Sequence, residues 1–236
     1  MLTDIEIPTA AGQLKGVLAV PDGKGTFPAV IMVHEVFGID ESMRTQIERM
    51  ASAGYIVLMP DLFSRGGMRK CLNATFRALV DGHGQAFDDV SAATHFVTAR
   101  PDCTGKVGVI GFCMGGAFAL QLASRGYDAS AVNYGQLPKE LDQAISGACP
   151  IVASYGAKDV SLKGAATKLE TALSKAHIVH DVKEYPGASH SFMNPVQAGP
   201  KLLRPFMNKV VGFKPNPEAA KDAWNRIEAF FAEHLA

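Results

Sequence analysis

Four side chains of this 236-residue chain have types and positions suited to acyl transfer: Cys113, Asp159, His190 and Glu35. Cys113 lies in Gly111-Phe112-Cys113-Met114-Gly115-Gly116, after the apolar run 106–110 and before the helix-favouring run 117–123. A strand that turns sharply into a helix forces its turn residue into a strained conformation, and glycines two before and two after keep side chains from colliding. The sulfur would stand above the sheet edge as a nucleophile. Taken alone, the motif fits a buried apolar thiol as well, since free cysteine is among the most buried residue types. A nucleophile needs a base and a group that orients the base. Asp159 follows a predicted strand in Gly156-Ala157-Lys158-Asp159, and His190 follows another in Pro186-Gly187-Ala188-Ser189-His190. A turn aspartate or a loop histidine alone is weak, but three such residues at successive strand ends make a catalytic set. A fourth element, His34-Glu35-Val36-Phe37-Gly38, sits at the end of the strand predicted over 27–33. Its Val36 amide, with that of Met114, would form an oxyanion hole, helped by the positive end of the helix that opens at Met114. Glu35 reads as a surface charge or as a carboxylate that takes the Cys113 proton until substrate arrives.

The elements that must position these residues are legible as alternating strands and helices. Continuous apolar runs predict strands at 27–33, 55–59, 106–110, 129–134, 150–155 and 177–185, a character that suits strands buried on both faces. Helical patterns fall at 42–53, 87–100, 114–125, 164–176 and 217–234. An alternating run over 13–20, closed by a turn at 21–25, predicts an N-terminal hairpin. The order implies a mainly parallel central sheet with helices on both faces, in one domain spanning 1–236; with the elbow at Cys113 and the chain order Cys113, Asp159, His190 it resembles an α/β-hydrolase fold. In such a sheet the loops at the carboxyl ends of the strands carry the site. Two stretches, 63–81 and 194–216, read as irregular and are candidates for a partial lid, with surface packing as the alternative.

Composition bounds the rest. The chain is 47% hydrophobic, enough for one large core, and its 23 basic and 23 acidic residues balance. Nothing argues for nucleic acid or an anionic membrane as partner, and small molecules fit better. The N-terminus has no basic stretch followed by a long apolar run, so the expectation is a cytoplasmic protein. Cys71, Cys103, Cys113 and Cys149 are scattered, without Cys-x-x-Cys or zinc spacing, and read as reduced thiols. His83 and His95 lack partners at metal-ligand spacing, and Asp88-Asp89 reads as favouring a helix N-terminus. Trp224, Phe230 and Phe231 read as core packing on the last helix. No phosphate-binding glycine motif is present.

His-Glu-x-x-Gly at 34–38, Gly-Phe-Cys-x-Gly-Gly at 111–116, Gly-x-x-Asp at 156–159 and Gly-x-x-His-x-Phe at 187–192 together resemble the dienelactone hydrolase family. The segment Asn216 to Trp224 is similar to the opening of that family's last helix. The resemblance implies a triad of Cys113, His190 and Asp159, with Glu35 holding the resting thiol and releasing it upon substrate binding. It also implies the Val36 and Met114 amides as oxyanion hole, no metal, no organic cofactor, and a monomer. The expected reaction is hydrolysis of small enol-lactones or carboxylic esters through a thioester acyl-enzyme. Phe37, Phe192 and Asn194 are the candidate substrate contacts. The catabolic enzymes of the family resemble one another in an arginine a few residues after the histidine, which binds the substrate carboxylate. Asn194 stands there in this chain, and a neutral amide cannot give a bidentate ion pair. Arg65, Arg69 and Arg77 are the candidate substitutes. Two alternatives stay open: a thioesterase or acyltransferase using the same residues, and a non-catalytic ligand-binding or redox-sensing protein of this fold.

Overall fold

The computed structural model describes residues 1–196 and 214–236. Eight strands form one sheet in the order β1-β2-β4-β3-β5-β6-β7-β8: β1 Leu2–Thr9, β2 Gly12–Ala19, β3 Phe27–Val33, β4 Ile56–Pro60, β5 Cys103–Phe112, β6 Ala129–Asn133, β7 Ile151–Gly156 and β8 His180–Tyr185. β1 pairs antiparallel with β2 through a turn at Thr9–Gly12, and β2 pairs antiparallel with β4. From β4 through β8 every pairing is parallel. The sheet is the mainly parallel one that the alternation of apolar runs and helical patterns predicts, with the antiparallel hairpin confined to one edge.

Among the described residues the α-helices are α1 Glu41–Ser52, α2 Met68–Asp81, α3 Gln85–Thr98, α4 Met114–Leu122, the single turn α5 Leu141–Ala144, α6 Ala165–Lys175 and α7 Pro217–His234. Because successive strand residues point to opposite faces, the central strands must be apolar throughout to serve two cores. Ile31 and Val33 belong to one core with Phe87 and Val90 of α3, Phe118 of α4 and Leu169 of α6, whereas Val30 and Met32 belong to the other with Ile47 of α1 and Trp224 and Ile227 of α7. Residues 29–33 are all fully buried as a result.

Helix starts follow local chemistry where it is present. The Asp40 side chain accepts from the Met43 amide at 3.0 Å and opens α1; Asn216 accepts from Ala219 at 3.2 Å and, followed by Pro217, opens α7. The expectation of an irregular 63–81 stretch is corrected by α2, which occupies most of it. That helix starts at Gly67, which offers no side-chain cap, and has no acidic residue in its first turn, so neither start signal is in the sequence. Most of the 194–216 stretch lies outside the described residues.

Candidate functional site

The turn from β5 into α4 is built by glycines at positions where no Cβ fits. A Cβ on Gly111 would lie 1.8 Å from the Gly115 carbonyl oxygen, and one on Gly115 would lie 2.0 Å from that of Val33. The second contact presses the end of β3 against the first turn of α4. Between these glycines Cys113 takes φ 54° and ψ −115°, a region that non-glycine residues adopt only when the surroundings hold them there. Its amide is tied to Asn133 of the neighbouring strand at 3.0 Å. Cys113 is half-buried and caps α4, so Met114 contributes the first amide of that helix, which has no acceptor within the helix.

Asp159 lies beyond the end of β7 and is buried. Its Oδ1 accepts from the Ser161 amide at 3.0 Å and the Ser161 hydroxyl at 2.5 Å, and its Oδ2 accepts from His190 Nδ1 at 2.5 Å. Burial alone would push this carboxyl up, but His190 and the Ser161 donors outweigh it and hold the carboxyl below its ordinary value. The loop that carries His190 is fastened to the Asp159 turn by the Lys158 amide, which donates to the Ala188 carbonyl at 2.9 Å. With Nδ1 committed to Asp159, Nε2 is left for Cys113, to which His190 also hydrogen-bonds. Burial pulls the imidazole down, yet negative charge on Cys113 and the bonds to Asp159 and Cys113 carry it well above its usual value. The arrangement can hold a thiolate–imidazolium pair.

Glu35 is 2% exposed and so is not a surface charge. Ser191 Oγ donates to Glu35 Oε1 at 3.1 Å and Asn194 Nδ2 donates to Oε2 at 3.0 Å. Burial raises the Glu35 carboxyl above its ordinary value; the Asn194 and Ser191 donors and the charge on His190 recover part of that shift, and Asp40 adds to it. Tyr134, with its backbone at φ 41°, places its ring 5.3 Å from that of His190 and its buried hydroxyl near Glu35. Burial and the negative charges of Glu35 and Cys113 keep that phenol neutral.

Three residues shape the site in roles that the sequence reading did not give them. His34 is fully buried; its Nδ1 donates to its neighbour Glu35's carbonyl at 2.7 Å and its Nε2 accepts from the Leu62 amide at 3.1 Å. Burial lowers its pKa, and a neutral ring with the proton on Nδ1 fits both bonds. It pins the Glu35–Val36 loop to the end of β4. Ser161 and Ser191 are the other two. The His-Glu-x-x-Gly motif pointed to the loop, but only the fold shows what His34 spans.

The candidate substrate contacts are placed unevenly. Phe37 is half-buried in the loop after β3, whereas Phe192 and Asn194 are 0% and 2% exposed. Phe192 packs against Tyr134 and Tyr185 with ring centroids 5.6 Å and 5.1 Å away, beneath the site rather than facing it. Arg65 is bound to the buried Asp89 at 2.6 Å, and Arg69 and Arg77 lie exposed on α2. A cavity of about 560 Å³ between α2, α4 and residues 136–144 is lined by Phe76, Ala117, Gln121 and Leu137 among others, and by none of Cys113, Asp159 or His190. Among the described residues no group of three or more His, Cys, Asp or Glu is arranged to hold a metal ion, and no helix is long and apolar enough to cross a membrane.

Residues 14–235 match the family model described as the dienelactone hydrolase family. A carboxymethylenebutenolidase of Pseudomonas putida is 30% identical over 211 residues, covering 84% of this chain and 89% of that protein. Two solved structures share the fold over 100% of this chain and 99% of theirs: a dienelactone hydrolase from Anabaena variabilis, 20% identical with a TM-score of 0.75, and a dienelactone hydrolase-like promiscuous phosphotriesterase from metagenomic libraries, 21% identical with a TM-score of 0.83.

Proposed function

The chain belongs to the dienelactone hydrolase family, and from that premise we propose that it hydrolyses small enol-lactones or carboxylic esters with Cys113 as nucleophile. The observation that carries the reading is His190 bridging Asp159 and Cys113 at the carboxyl end of the sheet. The Cys113 thiolate attacks the carbonyl carbon, and its electrons pass to the carbonyl oxygen. The amides of Val36 and Met114 stabilise that oxyanion, each donor being worth on the order of 3 kcal/mol. Collapse expels the alcohol or enol, protonated by the His190 imidazolium, and leaves a thioester. His190, now neutral, takes a proton from water, which attacks the thioester and restores the thiolate. Asp159 keeps the imidazole in the tautomer that points Nε2 at the sulfur. One copy of the chain carries all these groups, and the sequence of steps requires no metal or organic cofactor.

Enol-lactones and activated aryl esters suit this chemistry because a thiolate is itself a good leaving group: it departs in preference to an alkoxide and returns the substrate, but an enolate or phenolate can leave ahead of it. With Asn194 buried on Glu35, carboxylate recognition falls to other groups, so the reading extends to uncarboxylated lactones and esters. The test compares wild type, Cys113→Ala and Asp159→Asn on both substrate kinds, with intact-mass detection of the acyl-enzyme. We expect a trapped acyl adduct on Cys113 and a loss of at least ~10³-fold in kcat on removing the sulfur. Hydrolysis by Cys113→Ala at the wild-type rate would refute the reading.

A further inference from the structure

We infer that Asn194 is a positioning residue: with Ser191 it clamps Glu35 away from Cys113, so that the Cys113–His190 pair stands assembled before any substrate arrives. The inference rests on the proposed nucleophile and reverses the resting gate that resemblance alone implies. Both Glu35 oxygens are occupied, Oε1 by the Ser191 hydroxyl at 3.1 Å and Oε2 by the Asn194 amide at 3.0 Å. Both donors sit within four residues of His190, on the segment that presents it, so the clamp and the base are fixed by one piece of backbone. That segment is held firmly: Ser191 adopts φ 55°, the Asn194 amide donates to the Ser191 carbonyl at 3.1 Å, and Gln46 Nε2 of α1 donates to the Met193 carbonyl at 2.8 Å.

The chemistry of the clamp differs from that of a charged partner. Asn194 Oδ1 is buried without a hydrogen-bond partner, so the amide side chain is retained for its donor end alone. A neutral donor satisfies the carboxylate without offering a positive charge for substrate to compete over. A substrate carboxylate therefore has nothing to exchange with Glu35, and the carboxylate has no reason to swing. The groups that face Glu35 from the surrounding elements are His190, Asp40, Tyr134, Ser191 and Asn194; of these His190 alone carries positive charge, and it sits on the same segment as the two donors, so its attraction holds Glu35 at the clamp.

The test reads alkylation of resting enzyme by iodoacetamide, mapped to Cys113 by peptide mass spectrometry. Cys149, whose thiol burial pushes to about 12, serves as an internal slow thiol. Wild-type Cys113 is expected to react rapidly at pH 7 and to slow, through shielding, when a non-hydrolysable lactone analogue is added; acceleration by the analogue would overturn the inference. Asn194→Leu, close in volume but without a donor, releases Glu35 toward the thiol and should slow alkylation at least ~10-fold, the usual worth of one hydrogen bond to a charged group. Glu35→Gln in the Asn194→Leu background should restore the fast rate, because an amide cannot take the thiol proton. If Asn194 merely filled space, the double variant would stay as slow as the single one, and that result would also overturn the clamp. Should Asn194→Leu fail to fold, Ser191→Ala removes the other donor and is read in the same way, alone and with Glu35→Gln; an unchanged alkylation rate there counts against the inference. None of these readouts needs turnover, so failure of the clamp is separable from failure of the hydrolase reading, which is decided by Cys113→Ala.

Discussion

Replacing Gly115 by alanine would place a Cβ 2.0 Å from the Val33 carbonyl oxygen, 2.6 Å from its carbon and 2.9 Å from the His34 carbonyl oxygen. All three are backbone atoms, so no rotamer change relieves the clash. To reach the 3.4 Å of ordinary contact, the end of β3 and the first turn of α4 must separate by about 1.4 Å. Overpacking of this kind costs about 1–3 kcal/mol, which for a chain of this size lowers Tm by roughly 2–4 °C per kcal/mol. The functional cost should be larger than the structural one. Val36 lies three residues beyond Val33 and Met114 one residue before Gly115, so the separation moves the two oxyanion donors apart. Misplacement of a catalytic group by 1 Å can cost about 10²-fold. We expect kcat on an aryl ester to fall about 10²-fold with KM nearly unchanged, since the donors act on the transition state rather than on bound substrate. Paired measurements of kcat, KM and thermal melting decide it. A variant that melts within a degree of wild type and keeps kcat within threefold would refute both the close approach and the oxyanion assignment.

Three further outcomes follow from the buried polar groups. His34→Leu leaves the Leu62 amide and the Glu35 carbonyl unpaired, for a loss of roughly 2–5 kcal/mol by urea titration, and a loss below 1 kcal/mol would mean that His34 does not pin the loop. Asp159 has a depressed pKa in the folded protein, so its contribution to stability is complete above the ordinary carboxylate range and is lost as pH falls through the folded value; the Tm gap between wild type and Asp159→Asn should therefore be widest at pH 7 and narrow as pH falls below the ordinary carboxylate range, and a gap that widens on acidification would contradict the assignment. Glu35 has the opposite sign, its folded pKa being raised, so its ionised form costs stability at neutral pH and the cost disappears as pH falls below the unfolded carboxylate value. Glu35→Gln keeps hydrogen-bonding capacity toward Asn194 and Ser191 and should raise Tm at pH 7, with no gain near pH 4; a gain that grows on acidification would contradict the assignment.

The sequence by itself determined the elements whose signals are local. The strand expected over 27–33 coincides with β3, and the helix over 217–234 with α7, because one is apolar at every residue and the other opens on an Asn-Pro cap and keeps one apolar face. It also determined the elbow, since only glycine tolerates backbone contacts of 1.8–2.0 Å on either side of Cys113. α2 escaped because its start carries no capping side chain. What the tertiary structure alone decided is which polar groups meet across long separations. His34 reaches Leu62, Ser161 steadies Asp159 against the charge of His190, and Asn194 spends its amide on Glu35, 159 residues away. A motif fixes residue types and spacing, whereas a hydrogen bond depends on atoms brought within about 3 Å from distant strands. Asn194 therefore reads in sequence as a missing arginine and in the fold as the partner of a buried carboxylate.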